Sequence, residues 1–488
     1  MIPWGPFRPD TGGPNSGMAA TADNVLPQSA PVAGGIGYGP FAQFTTLAGA
    51  GALSGAPRGA ISLALKSGAW NVFFATSSTI EQLASNYTFS SIETGRSVTS
   101  GDDVSFCKFD DYLLNSDTTD GFKAYNVETP AGNNAVSGAP TARFIFTCNN
   151  VVFGLDCDGN NRRVQSSKLG DHTDWITGGA NRIDLPDGGA LVAGCDLKNG
   201  YGLIFQESAM RLINFNEAPD GALYSLKKAA DGRGSVGARS VISFDGTVYY
   251  LASDGFYRFD LANGNQPIGA EKVNRWFLSQ ISTANLSLVQ GVIDPENKVI
   301  LWRFPSVLTG STLIFDRVLG YDWQLNEFFT LTVNTTFFAR IQTPALTLDA
   351  MDSLGVLDTI TQPLDDRFFQ GGQPLFGGLD SNYKFATFSG SPMAATLQSA
   401  TINNPVSGMV GRCTPISDAP NSTIQLGVTD SLATALTWKT AASRSRAGAV
   451  PLRGRGLNIA FKEAIPAGET WTYSNGVDHV RASQDGPR

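Results

Sequence analysis

Residues 241–261 read V-I-S-F-D-G-T-V-Y-Y-L-A-S-D-G-F-Y-R-F-D-L, from Val241 to Leu261. Three runs of β-branched and aromatic residues (Val241 to Phe244, Thr247 to Leu251, Phe256 to Phe259) are parted only by Asp245-Gly246 and Asp254-Gly255. Asp-Gly pairs tolerate the positive φ that a tight primed turn demands, so the stretch predicts three antiparallel strands joined by two short turns, a β-meander.

Working outward, the same pattern recurs on both sides. Strand runs start near Ile61, Val104, Arg143 and Leu191 before this unit and near Val289 after it, at intervals of 40 to 50 residues. The sixth unit reads Val289 to Ile293, Lys298 to Phe304, Thr312 to Phe315 and Tyr321 to Leu325. A meander has an apolar face that it cannot bury alone, and radial stacking around an axis buries all such faces together. The interval is that of propeller blades, and the expected fold is mainly β, a β-propeller of about six to seven meander blades. A pair of β-sandwiches or Greek-key barrels is the competing architecture, since short strands between turns suit it as well. Phe328 to Val333, Phe337 to Ile341 and Leu375 to Phe388 offer a seventh unit, so the propeller is expected over 60–389 with its C-terminal boundary between 330 and 390.

Before the propeller, residues 1–59 are rich in Pro, Gly, Ala and Ser, with Trp4, Phe7, Tyr38, Phe41 and Phe44 following no period. Such a segment cannot build a core, and it is expected to lie along something else as an extended N-terminal arm, or else to be a disordered leader. Residues 390–488 hold further strand runs and read as a C-terminal β domain, with a basic patch at Arg444, Arg446, Arg453 and Arg455. One helix is expected in Glu271 to Gln280, where Val273, Trp276 and Phe277 fall on one face and Glu271 stands near the N-terminus.

Composition narrows the functional classes. The 488 residues carry a formal net charge of −8, which disfavours a grip on nucleic acid and suits a channel wall that a polyanion slides past, although such a charge is also common for a chain of this size. Five cysteines without a C-x-x-C spacing predict neither a disulfide framework nor a zinc site. Met1 to Pro6 has no signal-peptide character and no run is long enough to span a bilayer, so synthesis in a cytoplasm and no membrane-spanning segment are expected. Two histidines, His172 and His479, supply no material for a catalytic triad or a metal cluster. Gly232-Arg-Gly-Ser-Val-Gly237 matches a dinucleotide fingerprint in letters only, because it precedes a strand instead of opening a helix. Asp156 to Asn160 is a hairpin turn and not a calcium loop. The carboxylate pairs Asp102-Asp103, Asp110-Asp111 and Asp365-Asp366 point to opposite strand faces and do not converge as a glycosidase pair must. No catalytic, cofactor-binding or metal residue is therefore assigned, no cofactor is expected, and the chain is not expected to be an enzyme.

Several stretches do have a collective likeness. Trp4-x-x-x-x-Pro9-Asp10, Asn24-Val25-x-Pro27 and Gly37-Tyr38-x-Pro40 come first, followed by Leu169-Gly-Asp-His-Thr-Asp-Trp175. Ser253-Asp-Gly-Phe-Tyr257 is paired with Ile268-Gly269-x-Glu271-x-Val273. Leu364-Asp-Asp-Arg367 with Gly371-Gly372 and Ile465-Pro-Ala-Gly468-x-x-Trp471 complete the set. In this order they resemble the tail nozzle proteins, also called tail hub or stabilisation proteins, of short-tailed (podovirus-type) bacteriophages. The resemblance implies a structural virion protein with a propeller on each subunit, a homohexameric ring below the portal and adaptor proteins, a lumen for DNA ejection, and a platform for fibre, spike or needle proteins. Acidic loops are expected to face that lumen. A tail propeller that binds or cleaves polysaccharide, and a cytoplasmic scaffold propeller, are the alternatives.

Overall fold

In the computed structural model all residues are described except 33–34, 48, 67–69, 85, 217–221, 308–312, 343–373, 404–408 and 484–488. The described chain is mainly β, and most of it is a succession of small antiparallel sheets. The stretch around Val241 shows how one forms. Ile242–Phe244, Thr247–Ala252 and Gly255–Asp260 pair in sequence, and Gly264–Pro267 adds an outer strand. At the first turn Asp245 and Gly246 both have positive φ, 47° and 77°, as a primed turn requires. The second turn differs from expectation. Ala252 pairs with Gly255, so the two turn residues are Ser253 and Asp254, while Gly255 is already in the strand at φ 139°.

Four more such sheets precede it, opening with Gly59–Ala64, Ser105–Phe109, Ala142–Cys148 and Leu191–Lys198. In each, the three strands expected from the apolar pattern are present, and a fourth follows that the pattern did not show: Phe89–Thr94, Asn134–Ala135, Asn181–Asp184 and Ser225–Asp231. These outer strands are short or largely solvated, so period-two apolar alternation is missing from them.

A sixth meander comprises Gln290–Asp294, Val299–Phe304, Arg317–Asp322 and Glu327–Thr332. Here the sequence reading needs correction. Leu313 to Phe315 form no strand, and residue 312 lies outside the described residues. The third strand sits further on, and Trp323 to Leu325 are its turn: the backbone N–H groups of Gln324 and Leu325 donate to Asp322 Oδ1. Trp323 is apolar because its ring lies against Phe244 of the fifth meander, 5.8 Å between centroids. A seventh sheet takes Phe337–Gln342, Pro374–Leu379 and Phe385–Pro392, and its fourth strand is Ala42–Thr46 from the N-terminal segment.

Opening strands of successive sheets lie beside one another from Gly59–Ala64 through Phe337–Gln342, and the last returns to the first, closing a ring. The cores follow the same logic, since each is shared by two neighbours. Phe73 and Ile80 of the first sheet pack with Leu113 and Tyr125 of the second. Phe153 and Leu155 of the third pack with Ile204 and Ile213 of the fourth. Phe337, Leu379 and Phe385 of the seventh pack with Val72 and Phe74 of the first, across the closure. A single sheet would leave one face wet, so the sheets are stable only as a set.

The remaining strands form two sheets over a common core. Glu327–Thr332 of the sixth meander pairs in parallel with Ala19–Asp23, which leads to Ala395–Ser399, Asn458–Ile465 and Thr423–Thr429. The second sheet runs Val25–Ser29, Ile36–Pro40, Ser474–Ser483, Met409–Ser417 and Val450–Arg455. Ile2–Pro3, Ala19–Asp23 and Ile36–Pro40 thus pair with C-terminal strands of their own chain, whereas Ala42–Thr46 joins the seventh sheet. Trp4, Phe7 and Tyr38 are buried in one core with Phe461 and Trp471.

The helix is shorter than expected, Asn274–Gln280, and its N-terminal acid is not Glu271, which sits in a turn at φ 58°. Asp10 supplies the charge instead. Its carboxylate accepts from the N–H groups of Arg275 and Trp276, both at 2.8 Å, satisfying donors that have no intrahelical partner. Phe277 inserts between Phe256 of the fifth meander and Phe304 of the sixth, at 4.8 and 4.9 Å between ring centroids.

Candidate functional site

The residues that carry chemistry in other proteins are used here for structure. All five cysteines are free; burial pushes the thiols of Cys107, Cys157 and Cys413 up to about 12, away from reactive thiolate character. No metal-holding group of His, Cys, Asp or Glu occurs among the described residues. The glycine-rich loop at 232–237 threads between backbones, where a Cβ on Gly234 would stand 1.7 Å from the Gln206 carbonyl oxygen. Asp158 and Gly159 form a positive-φ hairpin turn, φ 53° and 75°. Asp102 and Asp103 diverge to separate arginines, Arg143 and Arg239, while Asp110 and Asp111 face Lys66. Asp365 and Asp366 lie outside the described residues.

The ordered motifs occupy joints. Trp4 donates through Nε1 to Ser474 Oγ (2.8 Å), and Ser474 donates to Glu463 Oε2 (2.5 Å), linking the first residues to the last strands. Tyr38 donates its hydroxyl proton to the Gly5 carbonyl (2.8 Å), and Arg8 grips Glu327 with two guanidinium nitrogens. Asn24 bridges two elements: its Nδ2 donates to the Ala394 carbonyl and its Oδ1 accepts from Thr332 N–H, each at 2.8 Å. In Leu169 to Trp175, the buried Trp175 ring lies edge-on to Phe122 (5.2 Å) and its Nε1 donates to the His172 carbonyl (2.9 Å). His172 rests against Tyr112 at 4.4 Å, and burial lowers its pKa. The loop therefore plugs the seam between the second and third sheets. Near the C-terminus, Gly468 (φ 79°) donates its N–H to the Pro392 carbonyl and brings Trp471 into the core. Residues 364–367 and 371–372 lie outside the described residues.

Glu463 is the least expected member of these joints. It lies at the centre of the two-sheet core, and burial raises its carboxyl above the ordinary range, with Ser474, Ser422 and Arg444 opposing the rise. An acid whose folded pKa is raised is favoured neutral in the fold, so stability is fully present below the unfolded value of 4.5 and falls as pH climbs above it. Glu463→Gln removes the titration but keeps an acceptor for Ser474. It is expected to melt close to wild type at pH 4.5 and to be the more stable protein at pH 8. Thermal melts across that range check the sign; a variant that is less stable at pH 8 would show that the carboxylate is the favoured form.

Sequence reasoning did not find the inner surface of the ring. The opening strands leave a cavity of about 770 Å³ lined by Trp70, Phe106, Phe144, Phe337 and Phe338, with Arg58, Arg239 and Asp103 among the lining residues. Arg239 pairs with Asp103 and donates to the Arg58 carbonyl (3.1 Å). Each group comes from a different strand or loop, so no local motif announces the cluster.

The fold and its joints define a mainly β chain built from small four-stranded antiparallel sheets. No family model matches the chain, and no curated protein matches it. Among solved structures it is similar to the dihydro-heme d1 dehydrogenase NirN in complex with DHE, at 12% identity over 83% of this chain and 68% of that one, TM-score 0.38. It is similar as well to a chain of the nidogen/laminin complex (12% identity, 54% and 93% covered, TM-score 0.32) and to the computationally designed Ika8 protein (11% identity, 59% and 89% covered, TM-score 0.33).

Proposed function

We propose that the chain is a seven-bladed β-propeller with an attached β-sandwich, and that it serves as a structural subunit of the tail nozzle of a short-tailed bacteriophage. Six copies form a hollow ring below the portal and adaptor, through which DNA leaves, and the ring carries fibres, spikes or a needle. The observation behind this reading is that every described stretch sharing the nozzle pattern is spent on fixing one part of the chain to another. Trp4, Asp10 and Asn24 bind the N-terminal segment to the sandwich, helix and sixth sheet; Trp175 closes the seam between the second and third sheets, and Gly255 admits the helix against the fifth. A conduit wall under the pressure of a packed genome requires that kind of rigidity. Among the described residues, the axial cavity is lined by one carboxylate, Asp103, where a glycosidase would bring two together.

Native mass spectrometry and negative-stain electron microscopy of the purified chain test the assembly. A hollow hexamer, with no affinity for host surface polysaccharide, is the expected result. A monomer at tens of micromolar, or a chain that binds or shortens polysaccharide, would overturn the reading.

A further inference from the structure

We infer that the axial cavity is a binding site for a small organic anion, a carboxylate or phosphate carried on an apolar body. Five aromatic residues, Trp70, Phe106, Phe144, Phe337 and Phe338, contribute to the lining of about 770 Å³, a size that suits a small molecule, where ligand pockets run roughly 300–1,000 Å³. The charge along this mixed lining is unbalanced. Arg58 and Arg239 line the cavity, and Arg303 stands behind it, fully buried. Among the described lining residues, one carboxylate, Asp103, stands against these three guanidinium groups, and it is already paired with Arg239.

Among the described residues, the hydrogen bonds and ring contacts of Arg303 are to neutral groups. Its Nε donates to Gln290 Oε1 (2.5 Å) and its Nη1 to the Thr335 carbonyl (3.2 Å), and it stacks 4.0 Å over Phe315. The lining ring of Phe337 takes both Arg239, at 5.0 Å, and Arg303, at 5.6 Å, on its face. Arg58 makes no ion pair among the described residues, and its buried Nε has no hydrogen-bond partner. The next arginine along the wall, Arg143, is engaged by Asp102 and Asp156 on another side. A buried donor without an acceptor is unfavourable, and an oxyanion beside the half-buried Arg58 and Arg239 would supply the acceptor that Arg58 Nε lacks while its apolar portion covers the aromatic side chains. The inference does not depend on hexamer formation, since every group belongs to one chain.

Isothermal titration of the full chain with phenyl phosphate, benzoate, inorganic phosphate and phenol tests it. Phenyl phosphate or benzoate should bind, the tighter of the two naming the head group, while inorganic phosphate binds at least tenfold more weakly and phenol gives no signal. Arg58→Gln, whose side chain makes no hydrogen bond or ion pair among the described residues, should weaken binding at least tenfold with a melting temperature no lower than wild type. Asp103→Asn should tighten it severalfold by removing the competing charge. Absence of binding by both aromatic anions, or affinity unchanged in Arg58→Gln, would overturn the assignment; equal affinity for inorganic phosphate would overturn the role given to the aromatic wall.

Discussion

Trp4→Ala is expected to destabilise the protein by about 4 kcal/mol, within the roughly 3–5 kcal/mol seen when a large aromatic residue is removed from a core. The indole is fully buried among residues of both sandwich sheets, and its N–H is one end of the chain of donors that passes through Ser474 to Glu463. Truncation therefore leaves a cavity and strips Ser474 of a donor. Trp4→Phe separates the two effects: it retains most of the volume and should lose only about 1 kcal/mol, the usual net worth of one hydrogen bond. Thermal and urea unfolding measure both. If Trp4→Ala lost less than about 1 kcal/mol, the N-terminal segment would be an accessory lying on a fold complete without it.

Gly255→Ala is the second large effect. At φ 139° the backbone is in a region that side chains rarely adopt, and an added Cβ would stand 1.9 Å from Asn274 Nδ2. Asn274 cannot move away freely, because its Oδ1 accepts the Phe256 N–H (3.2 Å) at the start of the helix. Backbone strain of about 1–3 kcal/mol and overpacking of similar size lead to a total of roughly 2–5 kcal/mol. Gly264→Ala is the control, since Gly264 has φ 67° and nothing within 4 Å of its added Cβ. It should show the strain without the clash. Adding Asn274→Ala to Gly255→Ala should recover part of the loss; if the double variant is no better than the sum of the single ones, the steric account is wrong.

These two positions show how differently parts of the fold were legible. Gly255 belongs to a stretch that reads as a meander from its residues alone, yet the Asp-Gly pair suggested a turn position. The register instead places Gly255 in the strand, where its lack of a side chain makes room for the helix. Trp4 lies in a segment without periodicity, where only the spacing of large aromatics hinted at a docking role. Its partner Ser474 is 470 residues away, and no local pattern can name such a contact.

The missed outer strands have a common physical cause. A strand at the edge of a sheet has one wet side and often two, so selection for apolar alternation weakens there, as in Asn181–Asp184 with its N-R-I-D sequence. The seventh sheet adds a second reason. Its outer strand, Ala42–Thr46, precedes the first sheet in the chain, and Phe44 packs on Phe388 at 4.8 Å only after the ring has closed.

What the sequence determined by itself was the repeating unit: alternating β-branched and aromatic runs, punctuated by Asp-Gly and Asn-Gly turns, dictate local hairpins wherever they occur. Tertiary structure alone decided how those units were joined. Closure through Ala42–Thr46, the capture of Trp4 and Asp10, and the gathering of Arg58, Asp103, Arg239 and Arg303 around one axis all depend on residues far apart in the chain. Turns are set by the conformational limits of two or three neighbouring residues. Closure and charge clustering are set by burial, which acts on distance in space and leaves no periodic trace in the order of residues.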